Sequence, residues 1–92
     1  MSEPSSHDLH PTAGARFAFE RLEDDPPRYA LTAYLPGARA LRAELGWSPD
    51  GRAILEPELG GEAWDDWTRD EALKLARVLN KDPKRTLVRW RG

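Results

Sequence analysis

Carboxylates are the most abundant residues here that could carry out acid–base chemistry. They occur as close groups three times: Asp24-Asp25, Glu56 with Glu58, and Asp65-Asp66. Paired carboxylates act as acid and base when burial separates their pKa values. Each of these groups falls in or beside a predicted loop, or on an outward-facing strand position. We therefore expect solvated surface carboxylates and no catalytic pair.

Histidine and cysteine offer little further chemistry. His7 and His10 lie with Asp8 near the N-terminus, where the three could hold a transition metal only weakly. The chain has no cysteine, so no thiolate can act as nucleophile or ligand. It shows no glycine-rich phosphate loop and no nucleophile elbow. The prediction is a protein that is not an enzyme, with no metal site, no cofactor and no evident small-molecule substrate.

The tryptophans indicate binding more strongly than catalysis, since four in 92 residues is a high number. Trp47 and Trp90 fall on predicted apolar strand faces, which indicates core positions. Trp64 and Trp67 flank Asp65-Asp66 just before the predicted helix, where a hydrophobic residue often packs back on the first turn. The alternative is an anchor for a partner protein, since tryptophan, tyrosine and arginine dominate interface hot spots. The candidate partner-binding residues are Trp64, Trp67, Tyr34, Arg85, Arg89 and Arg91.

Charge is divided unevenly along the chain, although its net value is only −2. Residues 1–66 carry 13 acidic and 6 basic side chains, whereas residues 67–92 carry 8 basic and 3 acidic ones. The basic segment 81–91, with Trp90 inside it, suggests single-stranded nucleic-acid binding as an alternative function, because such sites combine cations with stacking aromatics. The acidic overall composition and the lack of a recognisable RNA-binding motif make it the second choice.

Alternating apolar residues predict the elements that must position these side chains. Residues 1–14 have almost no large apolar side chain, so they are predicted to be a disordered tail before a single domain over residues 15–92. Four strands are predicted in the first two thirds of that domain. They are Arg16–Leu22, Arg28–Leu35, Ala40–Trp47 and Arg52–Leu59.

The turns between these strands have recognisable chemistry. The segment 23–27, with two prolines, is predicted to block continued pairing of the first two strands. Keeping Leu31 and Leu41 on one face requires a three-residue loop, residues 36–38, after the second strand. The segment 48–51 suits a turn that pairs Leu45 with Leu55 and Leu41 with Leu59.

The helix is predicted from both its ends and its period. Thr68 and Glu71 fit a capping box, apolar residues recur every three or four positions, and Asn80 suits a left-handed C-terminal cap. Pro83 prevents the helix from continuing. Residues 86–90 then form a fifth strand, whose pairing partner the pattern does not reveal.

The predicted fold is therefore α+β: an antiparallel four-stranded meander, one helix on its apolar face and a short C-terminal strand, in the order β-β-β-β-α-β. The predicted function is a small interaction domain that binds a protein partner or a second copy of itself. No membrane span or secretory signal is evident, so a cytoplasmic location is expected. The alanine- and arginine-rich composition resembles that of bacterial proteins.

Overall fold

The alternating segments form one antiparallel sheet, and the amphipathic segment forms one helix. The computed structural model describes residue 11 and residues 13–92. Its elements are β1 (Ala15–Asp24), β2 (Pro27–Leu35), β3 (Arg39–Trp47), β4 (Ala53–Pro57), α1 (Asp66–Lys81) and β5 (Thr86–Arg91). The strand order is β4-β3-β2-β1-β5. This confirms the predicted α+β order. Of the predicted tail, only residues 11, 13 and 14 are described, so His7, Asp8 and His10 lie outside the described residues.

The fifth strand adds to the sheet beside the first. It pairs antiparallel with β1, from Ala15 opposite Arg91 to Glu20 opposite Thr86. Helix α1 therefore carries the chain from the β4 edge of the sheet to the opposite edge. Within the part of the chain that the structure describes, no helix has the length and apolar character needed to cross a membrane.

The core lies between one face of the sheet and α1, as the alternation predicts. Strand residues of one parity, such as Phe17, Leu31 and Leu45, are at most 2% exposed, and Leu75 and Leu79 of the helix meet them. The cluster has these members: Ala15, Phe17, Phe19, Tyr29, Leu31, Ala33, Leu35, Leu41, Ala43, Leu45, Trp64, Ala72, Leu75, Ala76, Leu79 and Leu87.

Two hairpin loops agree with the predictions. Leu35 pairs with Arg39, so residues 36–38 form the expected three-residue loop. Ala38 in that loop has φ 60°, the left-handed region that side chains with a Cβ rarely adopt. In the next hairpin Leu45 pairs with Leu55, as the turn and the alternation together require.

Two strand ends differ from the predictions. The prolines do not stop the pairing of β1 with β2, which continues to Asp24 opposite Pro27. Pro27 is the first residue of β2, a position where a proline without an N–H still fits a strand. Strand β4 ends at Pro57, two residues earlier than predicted. Leu59 is therefore 98% exposed and does not face Leu41 in the core.

Both ends of the helix were predicted at the wrong residue. The N-cap is Asp65, whose Oδ1 accepts a hydrogen bond from the Thr68 backbone N–H at 2.8 Å, so Thr68 lies inside the first turn and is 1% exposed. Glu71 does not close a capping box; its carboxylate lies 3.3 Å from Lys74 Nζ. Asn80 is helical, and the chain leaves the helix at Asp82, whose φ is −137°.

Candidate functional site

The sheet face opposite α1 is not covered by any element of the described chain. Cross-strand pairing arranges its side chains in three parallel rows. The aromatic row consists of Trp90, Arg16 and Tyr34. The small row consists of Val88, Ala18, Thr32 and Arg42, and the acidic row of Thr86, Glu20, Ala30, Glu44 and Glu56.

The aromatic row places one cation between two aromatic rings. The Arg16 Cζ lies 5.2 Å from the ring centroid of Tyr34 and 5.7 Å from that of Trp90. Both distances are within the range of a cation–π contact, which stabilises an exposed pair by about 0.5–1 kcal/mol. Trp90 nevertheless remains 54% exposed. The row thus holds the Trp90 ring in a fixed position and leaves about half of it accessible.

The small row is a shallow groove between the other two rows. Ala18, Thr32 and Val88 line it, together with Tyr34, and its cavity volume is about 260 Å³. Val88 is 39% exposed. Short side chains on neighbouring strands let another backbone or side chain approach the sheet closely, so this groove can receive protruding groups from a partner.

The acidic row carries more negative charge than its neighbours neutralise. Glu44 lies directly opposite Glu56, a like-charged cross-strand pair that is unfavourable by itself. Arg28 Nη2 donates a hydrogen bond to Glu44 Oε1 at 2.7 Å and offsets part of this repulsion. Neither Glu56 nor Glu20 forms a salt bridge within the described residues. The face therefore presents a cationic and aromatic end and an acidic end.

Trp64, one of the predicted partner-binding residues, lies in the core. It is 6% exposed and belongs to the core cluster. Its Nε1–H donates to the backbone carbonyl of Arg42 at 3.3 Å, so both its apolar body and its polar tip are satisfied internally.

Trp67 is exposed but lies apart from the open face. It is 44% exposed and belongs to the first turn of α1, not to the position before the cap, because the helix begins at Asp66. It borders a depression at one end of the domain with Leu35, Pro36 and Arg39. Of the six predicted residues, only Tyr34 lies on the open face.

The side chains of β5 alternate in the opposite sense to the prediction. The Arg21 N–H bonds to the Arg85 carbonyl at 2.9 Å, so the backbone groups of odd-numbered residues in this strand point toward β1. Leu87 is buried at 3% exposure, and Arg89 and Arg91 share its side of the sheet. Trp90 faces the other side, so its prediction as a core residue was wrong.

Two arginines of β5 cover its outer edge. Arg89 Nη1 donates to the Val88 carbonyl at 2.8 Å, and Arg91 Nη1 donates to the Trp90 carbonyl at 3.3 Å. Even-numbered residues carry the outward-pointing backbone groups of this edge strand, so both arginines bind acceptors that a further strand would need. Arg85, before the strand, is exposed, and its carbonyl accepts the bond from β1.

Arg16 and Trp90 were not among the predicted site residues. Arg16 carried no signal, because a single arginine at the start of a strand is ordinary. Trp90 was predicted to lie in the core because one face of β5 carries two apolar residues, Val88 and Trp90, whereas the other face carries only Leu87. The spacing of Trp90 from Leu87, an odd number of residues, was the one available indication that the two point to opposite sides.

Two aspartates have pKa values lowered by structural hydrogen bonds. The hydrogen bond from the Thr68 backbone lowers the pKa of Asp65, and the Ser48 hydroxyl lowers that of Asp50. Both groups stay ionised at neutral pH, which suits a helix cap and a turn and does not provide an acid or base near pH 7. No group of three or more potential metal ligands occurs among residue 11 and residues 13–92.

Comparisons with protein-family models, with curated proteins and with solved structures gave no match.

Proposed function

We propose that this chain is a non-enzymatic protein-interaction domain that binds its partner through the open sheet face. The observation that carries the proposal is the aromatic row: Trp90 is 54% exposed, and Arg16 lies between its ring and that of Tyr34. These three residue types are the ones that most often dominate binding energy at protein interfaces.

The sheet beneath this row favours affinity because it is already ordered. Arg16 and Tyr34 project from paired strands: β1 is hydrogen-bonded to β2 on one side and to β5 on the other, so that Arg16 lies opposite Tyr34 and opposite Trp90. Little conformational entropy is lost when such side chains meet a partner, and a preorganised surface binds more tightly for the same contact area. The absence of cysteine suits a reducing compartment, and we place the domain in the cytoplasm on that ground.

Single-stranded nucleic acid is the alternative partner, since arginine and aromatic side chains can stack on bases. The three glutamates Glu20, Glu44 and Glu56 on the same face would repel phosphates. Arg89 and Arg91, which the alternative requires beside Trp90, lie on the other face of β5. A protein partner therefore fits this surface better than a polyanion does.

A photo-crosslinking amino acid placed at Thr32 tests the proposal. Thr32 lies in the small row, and Arg77, exposed on α1, gives a matched control position. In native cells we expect a discrete protein adduct from position 32 and none from position 77. The adduct should disappear when Trp90→Ala or Arg16→Ala is added to the probe at position 32.

The proposal is wrong if position 32 gives no adduct beyond that of position 77, or if the adduct survives Trp90→Ala. Nucleic-acid binding is tested separately by titrating a short fluorescent oligonucleotide at low salt. Binding that falls steeply as salt is raised would favour the alternative, because phosphate contacts release counterions.

A further inference from the structure

We infer that the partner on the open face is a second copy of this chain, related to the first by a two-fold axis that runs along the small row. This inference rests on the proposed function and names its partner. A two-fold axis in that position exchanges the aromatic row of one copy with the acidic row of the other. The small row then meets itself, as an isologous interface requires.

Charge complementarity is the first reason for this arrangement. Arg16 and Glu20 are four residues apart on β1, about 13 Å along the strand, so they cannot pair within one chain. Neither forms a salt bridge in the described part of the chain. The proposed axis places Arg16 opposite Glu20 of the second copy, and it does so twice, once on each side of Ala18.

Shape complementarity follows from the same operation. Tyr34 and Ala30 are also four residues apart on β2, so the axis places the large ring of one copy over the alanine of the other. Trp90 likewise lies over Thr86. Between these contacts, Ala18 and Thr32 are short enough for the two sheets to approach to the spacing of about 10 Å that is usual for packed sheets.

The strand edges are poorer surfaces for self-association than the face. On β5 the carbonyls of Val88 and Trp90 already accept hydrogen bonds from Arg89 and Arg91. At the other edge β4 has only 5 residues and ends at Pro57, which lacks an N–H donor. A sheet with such edges resists extension by a second copy.

The interface is expected to be small and the dimer weak. Three strands spaced by about 4.8 Å and three rows spaced by about 6.7 Å cover roughly 300 Å² of sheet per copy before the rim is counted. Total burial then falls at or below the roughly 1,200 Å² typical of transient contacts. Arg42 lies opposite Arg42 of the second copy at the solvated rim, where salt screens the repulsion between the two positive charges.

The test is a charge exchange measured by sedimentation equilibrium on the full chain, at concentrations up to about 1 mM, where even an association of about 4 kcal/mol is detected. We expect a reversible dimer. Arg16→Glu and Glu20→Arg should each weaken dimerisation by about tenfold or more, because each places like charges together twice. The double variant R16E/E20R should restore it, and Arg77→Glu on the exposed side of α1 should leave it unchanged.

The inference is overturned if the wild-type chain stays monomeric, if the single variants dimerise as well as the wild type, or if the double variant does not recover. Circular dichroism of each variant establishes that folding is intact. A monomer that still gives a Thr32 adduct with a different protein refutes self-association and leaves the proposed function standing. A monomer without any such adduct refutes both.

Discussion

The orientation of β5 decides whether Trp90 is a binding residue, and paired substitutions in this strand test it directly. Leu87 is 3% exposed, so Leu87→Ala removes a core side chain. Val88 is 39% exposed and Trp90 54% exposed, so their replacement by alanine removes surface that is already partly in water. The structure therefore predicts that Leu87 is more important for stability than the larger Trp90.

The magnitudes follow from burial. Leu87→Ala should cost about 3 kcal/mol, within the usual 2–5 kcal/mol for a buried leucine. Trp90→Ala loses about half of a large side chain's burial, roughly 1–2 kcal/mol, and one cation–π contact with Arg16, roughly 0.5–1 kcal/mol, which together amount to about 2 kcal/mol. A domain of this length has a free energy of unfolding of roughly 5 kcal/mol. Leu87→Ala should therefore remove more than half of the total stability.

Urea denaturation followed by circular dichroism measures the difference. With a slope of about 1 kcal/mol per molar urea, the midpoint should fall by about 3 M for Leu87→Ala and by about 2 M for Trp90→Ala. Val88→Ala serves as the matched aliphatic control and should fall by less than about 1 M. If Trp90→Ala proves the most damaging of the three, Trp90 is a core residue and both binding proposals lose their main support.

Three further predictions concern local contacts. Asp65→Ala should cost about 1 kcal/mol at pH 7, because it removes the side chain that caps α1. Folding lowers the pKa of Asp65 below its ordinary 3.8, so the stability that Asp65 contributes is present at neutral pH and fades as the pH falls through and below 4. The wild type and the variant should therefore converge in thermal melts at acid pH. Ala38→Gly should stabilise the protein by about 0.5–1 kcal/mol in urea titrations, because φ at this position is 60°. The control Ala40→Gly, in the following strand, should destabilise the protein. An equal effect at both positions would contradict the loop geometry. Tyr29→Phe should cost about 1 kcal/mol of the free energy of unfolding. The buried Tyr29 hydroxyl donates to the Lys84 carbonyl at 2.7 Å and accepts from Arg21 at 3.3 Å, and the variant loses both hydrogen bonds. An unchanged urea midpoint would show that this link between β2 and the segment before β5 does not contribute to stability.

The meander was predictable because each of its signals is local. The period-two alternation fixes which side of a strand is buried, and the turn residues fix the register, so Leu45 opposite Leu55 follows from the segment itself. The start of the helix was less certain because two residues can cap it. Asp65 and Thr68 are both good N-cap residues, and the sequence pattern does not say which one the core will bury.

The proposed binding surface was not predictable because it depends on contacts between distant segments. Arg16 lies between two rings only because β5 returns to pair with β1 while β2 pairs with its other side, and no local pattern determines where a C-terminal strand docks. At the edge of a sheet, an apolar residue gains burial only on the helix side. In β5 a single leucine meets that need, so Val88 and Trp90 are left on the open face, where the helix does not bury them.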